Sequence, residues 1–189
     1  ATLSDRAAGE SPPLGVCGSN SLGLPLRGGH INPVMTALPF IKMHGLGNDF
    51  VVLDARARGV ALTGSQASSI ADRHTGVGCD QIITVGAARN AGADAFMRIR
   101  NPDGSEAGAC GNATRCVAWL LTQETGRPNQ IIRTISGDLP SLALPDGRIR
   151  VDMGPARLDW EAVPLARAMD TLHLDLRRGD IADPAAASM

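Results

Sequence analysis

Ala-Cys-Gly-Asn-Ala-Thr-Arg-Cys, residues 109–116, opens the segment that decides the fold. After it, apolar side chains recur at the spacing of an α-helix, at Cys116, Val117, Leu120 and Leu121. Gly126 and Pro128 follow, and this pair is typical of a helix end. The pattern predicts a helix over residues 110–125 with one apolar face.

Cys110 and Gly111 lie at the start of this predicted helix. A helix N-terminus presents unpaired N–H groups and a partial positive charge, which favour the thiolate form of a cysteine there. Glycine lets the backbone approach a ligand closely, and the Gly111 N–H suits a carboxylate. The sequence therefore predicts a reactive sulfur and an anion-binding site side by side.

Composition excludes several classes of protein. The chain has 189 residues, 43% of them hydrophobic, and a formal net charge of −1 at pH 7. The balanced charge argues against nucleic acid or an anionic membrane as partner. The sequence contains no run of about 18 apolar residues, so no membrane-spanning helix is predicted. The cysteines form no CxxC pair and lack the spacing of a secreted disulfide framework. We therefore expect free thiols in a reducing cytoplasm.

The sequence pattern divides the chain into three parts. Residues 1–34 are rich in Gly, Pro, Ser and Leu without a steady period, and we expect a disordered leader or upstream sequence there. Regular patterns then continue to the break at Gly154-Pro155, which predicts a domain over residues 35–154. Residues 155–189 carry short apolar stretches, and we expect a linker and the incomplete start of a second domain.

Seven strands and two helices are predicted within the chain. The first helix is predicted over residues 63–74, where Thr63 and Gln66 have the spacing of a capping box. The predicted strands are 40–44, 49–54, 81–85, 95–100, 131–135, 139–144 and 148–153. Residues 101–104, Asn-Pro-Asp-Gly, predict a turn with glycine in the left-handed position. This pattern favours an α+β domain dominated by antiparallel strands.

Uncharged amide side chains lie beside glycines in the loops between these elements. They are Asn48, Gln81, Asn101 and Asn112. Amides form hydrogen bonds with both carboxylate and ammonium groups without adding charge. If they converge on one point, they suit a zwitterionic small molecule.

Four segments together resemble the diaminopimelate epimerase family. They are Phe-Ile-Lys-Met-His-Gly-Leu-Gly-Asn-Asp-Phe (40–50), Gly-Val-Gly-Cys-Asp-Gln (76–81), Arg-Ile-Arg-Asn-Pro-Asp-Gly-Ser-Glu (98–106) and the octapeptide at 109–116. The resemblance implies a strongly curved, mostly antiparallel sheet wrapped around a central helix. That helix would be 110–125, and this unit would be the first of two similar domains.

The resemblance also implies a reaction, the epimerisation of LL-2,6-diaminopimelate to the meso isomer for lysine and peptidoglycan synthesis, without cofactor or metal. Family members use two cysteines, one removing the α-proton as thiolate and the other delivering a proton as thiol. Carried over by position, Cys110 is one of them, and the substrate contacts are Asn48, Gln81, Asn101, Gly111 and Asn112. A cytoplasmic homodimer without nucleic-acid or membrane partners is implied as well.

The family's second cysteine lies in its second domain, and this sequence holds no counterpart of it. We therefore expect half an active site and an inactive isolated chain. Cys116 lies on the apolar helix face and Cys79 on another loop, and both are predicted to be structural. His44 and His74 lack the spacing of metal ligands, which argues against a metal site.

Other functions stay open at this stage. A proline or hydroxyproline racemase would share the fold, although Gly-Leu-Gly-Asn-Asp-Phe at 45–50 argues against it. A thiol redox or metal-binding protein is disfavoured by the absence of CxxC. An inactive remnant would lack the second cysteine, as this sequence does.

Overall fold

The computed structural model describes residues 15–24, 36–57, 59–88, 91–163, 165–178 and 181–185. Contacts divide the chain into two compact units, residues 1–153 and 154–189. Within the described residues, the first unit holds one mixed sheet and two helices, and the second holds a two-stranded hairpin. None of the helices in this part of the chain is long and apolar enough to cross a membrane.

The sheet of the first unit has nine strands. They are β1 (Gly15–Leu24), β2 (Thr36–Gly45), β3 (Asn48–Asp54), β4 (Gln81–Gly86), β5 (Ala95–Arg100), β6 (Glu106–Ala107), β7 (Asn129–Thr134), β8 (Gly137–Ala143) and β9 (Ile149–Val151). Their order is β1-β2-β3-β4-β5-β7-β8-β9, with β6 paired to β5. The β3–β4 and β5–β7 pairs are parallel and the other pairs are antiparallel. The prediction of an α+β fold with a mostly antiparallel sheet is confirmed.

Helix α2 (Gly111–Thr125) is the element around which the sheet curls. It packs against β2 near one end of the strand order and against β7, β8 and β9 at the other end. One helix reaches both ends only because the sheet wraps around it. The buried helix face is the predicted one and includes Ala113, Cys116, Val117 and Leu121. Each large apolar side chain buried in this core contributes about 1.5–3 kcal/mol.

Helix α1 (Gly64–Ala71) covers the opposite face of the sheet. Successive side chains of a strand point to opposite faces. Accordingly Phe50 and Val52 of β3 join the core around α2, whereas Val51 and Leu53 pack in the cluster that includes α1. Strand β3 is therefore buried on both faces, which holds its first residue at a fixed position.

The capping box predicted for α1 is confirmed, but the predicted helix end is wrong. Thr63 accepts from the Gln66 backbone N–H, and the Gln66 side chain accepts from the Thr63 backbone N–H. The helix ends at Ala71 rather than at 74 because Asp72 leaves the helical region, with ψ of 123°. The Asp72 carboxylate then accepts from the backbone N–H groups of His74 and Thr75, which stabilises a turn.

Residues 1–34 were expected to be disordered, whereas the backbone of Gly15–Leu24 forms β1. This strand pairs antiparallel with β2, from Gly15 opposite His44 to Leu24 opposite Thr36. A backbone ladder needs no apolar alternation, so a Gly-rich segment pairs without the pattern that predicts strands. In the second unit, Leu174–Arg178 (β10) and Ile181–Ala185 (β11) form an antiparallel hairpin.

Candidate active site

Three of the predicted amide residues lie at one end of three neighbouring strands. Asn48 begins β3, Gln81 begins the parallel strand β4, and Asn101 follows the end of the antiparallel strand β5. The starts of two parallel strands and the end of an antiparallel neighbour fall on the same side of a sheet. The fold therefore brings these three partly buried side chains to one edge.

Gln81 and Asn101 form a direct pair at this edge. Gln81 Nε2 donates to Asn101 Oδ1 at 3.0 Å, and Asn101 Nδ2 donates to Ser105 Oγ at 3.1 Å. The Gln81 Oε1 atom is buried and has no hydrogen-bond partner among the described residues. Such an atom is costly unless another donor satisfies it. Gln81 thus presents an acceptor suited to an N–H donor of a ligand.

The turn that carries Asn101 is held from two sides. Within the turn, the Asn101 backbone N–H donates to Ser105 O and the Gly104 N–H donates to Asn101 O, both at 2.9 Å. Gly104 has φ of +82°, as the sequence predicted for a left-handed glycine. A Cβ at Gly104 would lie 2.6 Å from the Gly64 carbonyl oxygen at the first residue of α1. Close backbone packing between two glycines therefore fixes the turn against α1.

Cys110 is the N-cap residue of α2, with extended φ and ψ of −153° and 111°. Its carbonyl oxygen accepts from the Thr114 backbone N–H at 2.9 Å and from Thr114 Oγ1 at 2.8 Å. No described side chain caps the helix start at this residue. The partial positive charge of the helix start is therefore not masked by a capping side chain.

The structure brings the start of α2 against the start of β3. Cys110 Sγ lies 3.9 Å from Asn48 Oδ1, and Asn112 Nδ2 donates to the same oxygen at 3.4 Å. Arg115, one turn further along the helix, donates to Asn112 Oδ1. The predicted residues Cys110, Asn48 and Asn112 thus form one cluster, and the thiol meets an amide oxygen within it.

Sequence reasoning missed two aspartates that hold this cluster. Asn48 Nδ2 donates to Asp80 Oδ2 at 2.9 Å, and the backbone N–H of Asp49 donates to the same oxygen at 2.9 Å. In return, the Asp80 N–H donates to Asp49 Oδ1 at 3.0 Å. The only local signal is that each acid adjoins a predicted amide contact, Asn48 in one case and Gln81 in the other.

Cationic side chains keep Asp49 ionised. Burial raises the pKa of its carboxyl, but hydrogen bonds from Arg73 and Lys42 outweigh burial and hold the pKa well below its usual value of 3.8. Arg73 Nη2 lies 2.7 Å from Asp49 Oδ1 and 2.8 Å from Asp80 Oδ1, and Lys42 Nζ lies 2.7 Å from Asp49 Oδ2. The charged network behind Asn48 therefore persists across the neutral pH range.

Gly111 lies beneath an exposed methionine. A Cβ at this position would lie 3.4 Å from Met153 Sδ, and Met153 is 51% exposed. The glycine predicted to admit a ligand carboxylate to the helix start is therefore flanked on one side by an apolar side chain.

The other cysteines with described side chains are unsuited to acid–base work. Cys79 and Cys116 are 2% and 0% exposed. Burial raises the pKa of Cys79 and raises that of Cys116 to about 12, so both stay protonated at neutral pH. Among the described residues, no group of three or more His, Cys, Asp or Glu is arranged to hold a metal ion.

A cavity of about 160 Å³ lies away from this cluster. Its walls are Pro39, Phe40, Ile41, Val52, Asp54, Arg56, Val85, Val117, Leu120, Leu121 and Glu124. None of the predicted site residues lines it. The candidate site is therefore defined by the contacts among Cys110, Asn48 and Asn112 and not by this cavity.

The first unit is thus a curled α+β sheet around a helix whose N-cap is a partly exposed cysteine in contact with an amide side chain. The sequence profile of the diaminopimelate epimerase family matches residues 40–158. The chain belongs to this family.

Relatives within the family are close over the matched part. The chain is 58% identical over 153 residues to diaminopimelate epimerase of Acidiphilium cryptum, covering 81% of this chain and 54% of that protein. It is 56% identical over 150 residues to that of Rhodospirillum centenum, covering 79% and 52%. The chain thus spans about half the length of these curated relatives.

Solved structures are more distant. A hydroxyproline epimerase from Agrobacterium vitis is 18% identical with a TM-score of 0.48, covering 64% of this chain and 43% of that one. A methylitaconate-delta-isomerase is 15% identical with a TM-score of 0.45, covering 65% and 66%.

Proposed function

We propose that this chain forms one half of an epimerase active site that converts LL-2,6-diaminopimelate to the meso isomer. The observation that carries the proposal is the contact of Cys110 Sγ with Asn48 Oδ1 at the open start of α2. Family membership supports the substrate, since the relatives named above are diaminopimelate epimerases. Because the chain spans about half of their length, the activity is proposed for the whole protein.

The proposed reaction is a proton transfer. In one direction the Cα–H bond breaks, the proton goes to the Cys110 thiolate, and the electron pair stays on the α-carbon as a carbanion. A second acid on the opposite face then supplies a proton to that carbon. An α-proton beside an ionised carboxylate is weakly acidic, so the backbone N–H groups at the start of α2 stabilise the developing charge.

The amide residues are proposed to orient the amino-acid end of the substrate. The backbone N–H of Gly111 binds the α-carboxylate, and Gln81 Oε1, buried without a described partner, accepts from the α-ammonium. Asn48, Asn101 and Asn112 complete the ring of uncharged contacts. Amides suit this role because they hold both charged groups without adding a net charge.

The second acid is proposed to come from residues other than those described. Cys79 and Cys116 are buried and remain protonated, so neither exchanges a proton with a bound substrate. The family resemblance assigns this role to a cysteine of a second, similar domain. Residues 35–154 are accordingly proposed as the first domain, and residues 155–189 as the linker and start of the second.

The test follows solvent deuterium in the whole protein that carries this chain. With LL-diaminopimelate in D2O, deuterium should enter the α-carbon as the meso isomer forms. Cys110→Ser should lower the exchange rate by at least about 100-fold, because a general acid–base group is lost. Cys116→Ala, which removes a buried thiol, is the matched control and should retain exchange.

Two outcomes would contradict the proposal. One is equal exchange in wild type and Cys110→Ser, which would remove this sulfur from the chemistry. The other is that deuterium enters the α-carbon of trans-4-hydroxy-L-proline but not that of diaminopimelate, which would favour the alternative racemase. The resemblance further supports a cytoplasmic homodimer, which analytical ultracentrifugation of the whole protein would test.

A further inference from the structure

Asn48 lies between a carboxylate and a sulfur, and its two amide atoms differ in chemistry. Nδ2 donates to Asp80 Oδ2 at 2.9 Å, while Oδ1 lies 3.9 Å from Cys110 Sγ. A carboxylate accepts hydrogen bonds and donates none when ionised, so only the NH2 end of the amide can face Asp80. The carbonyl end is then turned toward the thiol.

This orientation places an acceptor, and not a donor, beside the Cys110 sulfur. An amide oxygen accepts from S–H and thereby stabilises the thiol, whereas an amide N–H would stabilise the thiolate. The start of α2 acts in the opposite sense, since its partial positive charge favours the thiolate. A cysteine that both accepts and donates a proton during a reaction must populate both its thiolate and its thiol form.

We propose that Asp80 is a positioning residue that fixes the Asn48 amide with its oxygen toward Cys110 and so keeps the thiol form of Cys110 populated. This refines the proposed epimerase function, in which Cys110 both takes and gives a proton. The described side-chain contacts of Asp80 are with Asn48, Asp49 and Arg73, so Asp80 acts on Cys110 only through Asn48.

Asp80 is itself held on both of its oxygens. Oδ2 also accepts from the Asp49 backbone N–H at 2.9 Å, and Oδ1 accepts from Arg73 at 2.8 Å. Its own backbone N–H donates to Asp49 Oδ1 at 3.0 Å. These contacts place the carboxylate independently of Asn48, so Asp80 can impose an orientation on the amide.

A second contact supports the same orientation from the helix side. The Arg115 side chain carries only donors, and it donates to Asn112 Oδ1. The NH2 group of Asn112 therefore faces away from Arg115 and toward Asn48. Asn112 Nδ2 then donates to Asn48 Oδ1 at 3.4 Å. An Asn48 amide rotated by 180° would oppose Asp80 with an oxygen and Asn112 with an N–H group, and would lose both hydrogen bonds.

The test measures the alkylation rate of Cys110 by iodoacetamide at pH 7, without substrate. Because the thiolate is the nucleophile, the rate reports its population. Cleavage after Arg100 and Arg115 releases residues 101–115, in which Cys110 is the only cysteine. Asp80→Ala should raise the rate by about threefold to tenfold, since a hydrogen bond to the thiol is lost.

Three variants separate positioning from general loosening of the fold. Arg73→Ala removes the bonds of Arg73 to Asp80 Oδ1 and to Asp49, but Asp80 Oδ2 keeps its bonds from the Asp49 N–H and from Asn48. These two bonds are enough to hold the amide orientation, so the alkylation rate should stay unchanged. Asp80→Asn retains an acceptor oxygen and should restore a rate near wild type. In an Asn48→Ala background, Asp80→Ala should have no further effect. Buried Cys79 and Cys116 serve as internal controls and should stay unreactive.

The proposal is overturned if folded Asp80→Ala alkylates at the wild-type rate, or if its effect persists without the Asn48 amide. If Asp80→Ala does not fold, the proposal is tested by NMR on the wild-type protein. The Asn48 side-chain amide protons should then exchange slowly with solvent, and exchange as fast as in a free amide would refute the proposal. If the alkylation rates change as expected but the whole protein does not epimerise diaminopimelate, only the proposed function is refuted.

Discussion

The two helices of the first unit begin in opposite ways. Helix α1 starts with a closed capping box, in which Thr63 and Gln66 satisfy each other's backbone N–H groups. Helix α2 starts at Cys110, and no described side chain caps it there. Helix α2 is the longer of the two and lies at the centre of the core. The element with the larger packing contribution is therefore the one whose start is left open.

This difference separates a helix start that depends on its cap from one that does not, and the second is the start for which we propose a function. A capping side chain contributes about 1 kcal/mol, and a helix with eight residues depends on it more than a helix embedded in a core. Burial of Ala113, Val117 and Leu121 stabilises α2 without a cap. Core packing thus makes a side-chain cap unnecessary for α2 and leaves its first backbone N–H groups without one.

The largest expected loss of stability is at the contact between Gly64, the first residue of α1, and Gly104 in the turn that carries Asn101. Gly104→Ala should destabilise the fold by about 2–4 kcal/mol, because the new Cβ meets Gly64 O and the left-handed φ disfavours alanine. Thermal or chemical denaturation measures this change.

Gly147→Ala is the matched control for this substitution. Gly147 has nearly the same φ, +83°, but its Cβ direction is open. The control should therefore lose only about 1–2 kcal/mol, the cost of the backbone conformation. Equal losses at the two glycines would show that the packing of the Asn101 turn on α1 contributes nothing.

A smaller loss is expected on opening the closed start. Thr63→Ala should destabilise the fold by about 1 kcal/mol, because the Gln66 backbone N–H loses its acceptor. Thr63→Ser keeps a hydroxyl and should remain close to wild type in the same denaturation experiment. An alanine variant as stable as the serine variant would mean that the capping box is dispensable.

Local sequence patterns predicted the capping box of α1 and suggested the chemistry that we propose for the start of α2. They did not predict the contacts that hold the candidate site in place. The spacing of Thr63 and Gln66 and the apolar face of 110–125 are short-range features of the sequence. The bonds between Asp49 and Asp80 join residues 31 positions apart, and they exist because β3 and β4 pair in parallel at this register. No local pattern encodes that register. The strand β1 escaped prediction for a related reason, since the hydrogen bonds of a β-ladder join backbone groups, which an apolar pattern does not reveal.

The smallest effect is expected on closing the open start. Cys110 has the extended φ and ψ of an N-cap residue, so a serine hydroxyl there can accept from a backbone N–H of the first turn. Cys110→Ser should therefore be more stable than Cys110→Ala by about 0.5–1 kcal/mol, measured by urea denaturation. Greater stability of Cys110→Ser than of Cys110→Ala, together with loss of deuterium exchange in Cys110→Ser, would show that a capping side chain fits at this start but does not support the reaction. If the serine and alanine variants unfold at the same urea concentration, the start of α2 is already satisfied in some other way, and the contrast with α1 does not hold.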